Sequence, residues 1–72
     1  DKLVHLNYNV ENSGNVTIKV SDMLGKSQIL LNNSATSGLN YEAIDISSLN
    51  PGVYLVEVTD GINTEIKRIV VE

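Results

Sequence analysis

The sequence predicts an all-β fold, a small antiparallel sandwich, and three observations carry that reading. Apolar residues alternate with polar ones in several runs, which is the period of a half-buried strand. The apolar residues are Val, Ile and Leu, with no Phe or Trp and with Tyr8, Tyr41 and Tyr54 as the only aromatics. That β-branched bias suits a pleated surface better than a helix. The third observation is the stretch Leu49-Asn50-Pro51-Gly52-Val53-Tyr54-Leu55-Val56-Glu57-Val58, which reads as a corner followed by a strand. Pro51 and Gly52 suit the central positions of a type II turn, with Gly52 at positive φ. A tyrosine just beyond such a turn matches the tyrosine corner of immunoglobulin-like sandwiches, where the phenol bonds to upstream backbone. The plainer alternative is that Tyr54 only fills the core.

The elements follow in order. Leu3 to Val10 alternates, with Val4, Leu6, Tyr8 and Val10 on one face. The lone histidine, His5, falls on the polar face, where a solvated role outweighs a metal-binding one because metals need several convergent donors. Glu11-Asn12-Ser13-Gly14 is a turn cluster, and Asn15 to Ser21 then points Val16, Ile18 and Val20 inward. Two alternating strands around a short turn suggest a hairpin. Asp22-Met23-Leu24-Gly25-Lys26 is a second turn, with Asp22 bonding backbone two residues on and Gly25 left-handed. One glycine does not make the amide nest of a phosphate loop. Gln28 to Leu31 reads as a short strand covered on both sides, and Asn32 to Asn40 as a flexible loop. Asn15-Val16-Thr17 and Asn32-Asn33-Ser34 fit the glycosylation sequon, which has meaning only in a secreted eukaryotic protein. Tyr41 to Ile46 is a strand with Ile44 and Ile46 inward. Asp45, Ser47 and Ser48 read as turn chemistry.

The last hairpin turns at Asp60-Gly61. Cross-strand pairing favours a five-residue connection that sets Val58 opposite Ile66, Glu57 opposite Lys67 and Tyr54 opposite Val70. Arg68 then lands on the core face and its stem must snorkel. In the same register Leu55 pairs with Ile69, and Val71 lies beyond Val53. Val53, Leu55, Ile69 and Val71 would form an aliphatic patch on the outer face, rimmed by Glu57, Lys67 and Arg68. Either a different register or a covering loop removes that patch, or it is a docking site for a partner or a second copy.

Composition bounds the function. The chain has 72 residues, no cysteine and a net charge of −4. It makes one small domain with a thin core and no disulfide or thiolate metal cluster. The acidic balance disfavours nucleic acid, and the scarce aromatics disfavour stacking platforms for bases or sugars. No apolar run reaches the roughly 20 residues of a membrane span. No secretory leader opens the chain, so more protein is expected ahead of Asp1. One histidine, no cysteine and dispersed carboxylates supply no acid–base pair, so no catalytic residue, cofactor site or metal site is assigned.

The order of motifs resembles a known family. Asp1-Lys2-Leu3 is followed by Val-x-Ile-x-Val-x-Asp-x-x-Gly-Lys from Val16 to Lys26, then Gly38-x-Asn40 and Ile44-Asp45-Ile46-Ser47-Ser48-Leu49. Pro51-Gly52-Val53-Tyr54-Leu55-Val56 comes next, and the chain closes with Lys67-Arg68-Ile69-Val70-Val71. Across nearly its whole length the chain is similar to the type A C-terminal sorting domains of the type IX (Por) secretion system of Bacteroidota. The resemblance implies an immunoglobulin-like sandwich of about seven strands at the end of a larger secreted protein. It also implies passage from periplasm to cell surface through an outer-membrane translocon, with shuttle proteins and a surface sortase as further partners. Asp22, Gly25, Gly52, Tyr54 and Lys67 match the family pattern, and Arg68 extends its basic strand. No Pro-Asn-Pro phrase precedes the domain. The tail Val70-Val71-Glu72 lacks the second lysine of many members, so no signal is implied at the last turn. The alternative is an accessory immunoglobulin- or fibronectin-III-like module that spaces domains or binds carbohydrate, because the Leu-x-Pro-Gly-x-x-Tyr phrase occurs there too.

Overall fold

A computed structural model describes residues 2–72; Asp1, the first residue of the sequence pattern, lies outside the described residues. Six strands run in chain order: β1 Leu3–Val10, β2 Gly14–Asp22, β3 Ser27–Ala35, β4 Gly38–Asp45, β5 Gly52–Thr59 and β6 Thr64–Val71. The expected all-β sandwich is met with six strands among the described residues rather than about seven. A two-stranded sheet, β1-β4, packs on a four-stranded sheet, β3-β2-β5-β6, and every pairing is antiparallel. The shortest extent, 16 Å, is what two sheets stacked roughly 10 Å apart leave room for.

The period-2 sets fill the space between the sheets. Leu6, Tyr8 and Val10 of β1 and Ile44 of β4 meet Val16, Ile18 and Val20 of β2 and Tyr54, Val56 and Val58 of β5, all buried. Ile46 is buried just after β4, where its amide donates to the Lys2 carbonyl at 2.8 Å and prolongs the β1-β4 ladder. The inward residues expected of β1, β2, β4 and β5 are therefore in place.

Three expectations about connectivity are corrected. The turn Glu11 to Ser13 does not close a hairpin; it carries the chain from one sheet to the other, since β1 pairs with β4 and β2 with β3 and β5. An alternating strand buries its apolar face equally well in either arrangement, so the pattern cannot tell them apart. The stretch Asn32 to Asn40 is not a loop. β3 continues through Ala35, with Asn32 opposite Thr17 and their side chains 3.0 Å apart, and β4 starts at Gly38. Two residues, Thr36 and Ser37, connect them, and Asn40 ties the crossing by accepting from the Thr36 amide and donating to the Thr36 carbonyl. Polar residues persist in β3 because it is an edge strand with a wet outer face. Leu30 is exposed there, so β3 is not covered on both sides.

The third correction is the register of β5 with β6. Thr59 pairs with Thr64, so the connection has four residues, Asp60 to Asn63, not five. The loop is closed by its own chemistry: Asp60 Oδ1 accepts from the amides of Ile62 (2.8 Å) and Asn63 (2.7 Å), and Gly61 sits at φ 95°. Tyr54 consequently faces Ile69, Val56 faces Lys67, and Leu55 faces Arg68. Lys67, not Arg68, is the cation on the core-facing side. Its ammonium crosses the open flank of the sandwich and donates to the Asn7 carbonyl of β1 at 2.8 Å.

Candidate recognition surface

The residues singled out by the sequence fall into three places. Asp22 and Gly25 build the turn between β2 and β3. Asp22 Oδ1 accepts from the amides of Leu24 (3.0 Å) and Lys26 (2.9 Å), and Oδ2 accepts from Gln28 Nε2. The Asp22 amide donates to the Lys26 carbonyl and the Gly25 amide to the Asp22 carbonyl, while Gly25 takes φ 89°. The Lys26 amide bond chiefly holds the Asp22 carboxyl below the usual range; desolvation opposes it, and the Leu24 amide and Gln28 side chain add to the lowering. The turn is locked, and it presents Met23 and Leu24 to solvent.

Gly52 and Tyr54 form the corner at the start of β5. The buried Tyr54 hydroxyl donates to the Asn50 carbonyl at 2.7 Å, the bond that defines a tyrosine corner. The plainer reading, a tyrosine that only fills space, is thereby set aside. Gly52 takes the positive φ expected of it, but at 157° rather than the roughly 80° of a type II turn. The chain reverses a few residues earlier, where the Leu49 amide donates to the Ile46 carbonyl and the Ser47 amide to Asp45 Oδ1. That Ser47 amide bond, with the Ser47 hydroxyl, lowers the Asp45 carboxyl.

Lys67 and Arg68 leave β6 on opposite faces, as neighbours in a strand must. Lys67 ties the two sheets together, whereas Arg68 points out from the four-stranded sheet. The expected patch of Val53, Leu55, Ile69 and Val71 does not form. Val53 and Leu55 are on the outer face and half-buried, but the four-residue connection turns Ile69 and Val71 inward, where Val71 is 5% exposed. Their outer places are taken by Ile66 and Val70, 60% and 58% exposed. Sequence reasoning missed these two because it matched apolar pairs across the strands and gave no weight to the Asp60 loop closure.

A cleft of about 280 Å³ opens at the end of the sandwich near this loop, floored by Val10 and Val58 and rimmed by Glu11, Asp60 and Glu65. It was not foreseen from the sequence. Asp60 is held low by the Asn63 and Ile62 amides, and Asn63 Nδ2 donates to Glu11 Oε1 at 3.3 Å. These bonds are loop architecture and join no nucleophile to a base. Among the described residues no group of three His, Cys, Asp or Glu is placed to hold a metal ion.

The fold and its marked residues define a small all-β module whose distinctive side chains fix turns and flanks and whose chemistry is offered at the surface. A family model described as the secretion system C-terminal sorting domain matches residues 2–72. The chain belongs to that family, whose members are C-terminal sorting signals for type IX secretion. Such a domain implies an N-terminal cargo in the same chain and export to the cell surface or beyond. The family is not known to be catalytic. No curated protein and no solved structure gives a match.

Proposed function

We propose that residues 1–72 act as one folded, non-catalytic sorting domain, read by the secretion machinery as a surface rather than as a linear peptide. The observation that carries this reading is the family match over the complete sandwich, from the start of β1 to the end of β6. A signal spread over six paired strands is presented in its geometry only when the domain is folded. In this reading Asp22, Gly25, Gly52 and Tyr54 serve recognition indirectly, by fixing the turn and the corner. Lys67 holds the flank, and Arg68 is free to meet a partner. The cargo crosses the periplasm with the domain attached and reaches the translocon with shuttle proteins. A surface sortase then acts on the junction ahead of the domain.

The test is a fusion of residues 1–72 to the C-terminus of a periplasmic reporter, in a bacterium with this secretion system. Surface delivery is the expected outcome. Retention of a folded fusion in the periplasm would contradict the reading and is what a spacer or carbohydrate-binding module would give.

A further inference from the structure

We propose that the outer face of the four-stranded sheet, centred on Arg68, docks a protein of the secretion machinery that presents a carboxylate among apolar side chains. The inference rests on the sorting reading above. Arg68 pairs with Leu55 across the strands, and Ile66 and Val70 flank it along β6. Val70 in turn pairs with Val53. Arg68 therefore stands in an aliphatic surround, in which Ile66 and Val70 are exposed and Val53 and Leu55 half-buried.

Arg68 has no ion-pair partner among the described residues. Glu57, diagonal to Arg68 on the neighbouring strand, is instead paired with Lys19 at 3.8 Å. A cation ringed by aliphatic groups gains most when a partner closes over it and supplies an anion, the composition typical of an interface hot spot. A carboxylate meets a guanidinium with two parallel hydrogen bonds, which fixes orientation as well as sign. An anionic lipid surface would also offer anions. The chain carries a net charge of −4, so approach to such a surface is opposed by the rest of the domain. A protein carboxylate in an apolar setting satisfies both the charge and the aliphatic ring.

The reporter fusion gives the test, with Arg68→Glu, Arg68→Lys and the pair Ile66→Ser with Val70→Ser. All three substituted positions carry exposed side chains, and thermal melts of each variant check that the fold is kept. Arg68→Glu and the serine pair are each expected to lower surface delivery about tenfold, with Arg68→Lys between them and the unmodified domain. Delivery of Arg68→Glu is expected to be restored by an Asp or Glu change to Lys or Arg in a component of the machinery. Unimpaired delivery of folded Arg68→Glu would overturn the proposal while leaving the sorting reading intact. So would binding to phosphatidylglycerol vesicles that Arg68→Glu abolishes, or a wild-type dimer in sedimentation that it dissolves. Failure of the unmodified fusion would instead remove the sorting reading, and this inference with it.

Discussion

The Tyr54 hydroxyl does two jobs with one bond. Its ring lies in the core, 7% exposed, and its phenol ties the chain at Asn50 to the start of β5. A buried hydroxyl without a partner is costly, so the bond both satisfies the phenol and holds the corner. Tyr54→Phe keeps the ring and removes the bond. The expected loss is about 1 kcal/mol of unfolding free energy, read by denaturant titration with an unchanged slope. An unaltered midpoint would mean that the corner is set by packing alone. The role of this residue was legible in the sequence because a tyrosine after a Pro-Gly turn has few other uses. The positive φ of Gly52 was legible too, but not its value, since the reversal is made earlier by Asp45 and the Ile46–Leu49 turn.

At the scale of the strands, the inward faces could be read directly and the partners could not. A period of two names the buried side of β1, β2 and β5 whatever lies beside them. Pairing is decided by what alternation does not encode: the chain crossing at Glu11 to Ser13, and the Asn40 tie that lets β3 and β4 sit in different sheets. The Asn-rich half of β3 looks like loop because edge strands accept polar residues that a central strand would reject. The β5-β6 register shows the same limit in its sharpest form. Apolar matching favoured Val58 opposite Ile66, but the Asp60 carboxylate closes a connection one residue shorter, and every residue of β6 changes face. Cross-strand nuclear Overhauser contacts should join Tyr54 with Ile69 and Val58 with Glu65. Contacts of Tyr54 with Val70 in their place would restore the longer loop and return Arg68 to the core side.

For the molecule as a whole, the carboxylates that close the turns also set its response to pH. Asp22, Asp45 and Asp60 each accept backbone amide bonds that favour the ionised form, and each is lowered from its ordinary value. All three are surface groups, so each effect is modest and screened by salt. A carboxyl with a lowered folded pKa contributes stability that is complete above its unfolded value, about 3.9, and fades as pH falls through the folded value. Tyr8 acts in the opposite sense: burial, and then the charge of Glu42, raise it above its ordinary value. A group raised on folding contributes stability that is complete below its unfolded value, about 10, and fades above it. Unfolding free energy should therefore stay nearly level from about pH 5 to 9 and fall on both sides, through the three turns in acid and through Tyr8 in base. Asp22→Asn with Asp60→Asn should flatten the acid limb while leaving the basic limb in place, measured by chemical denaturation across the range. An acid limb as steep in that double variant as in the unmodified domain would show that other carboxylates carry it.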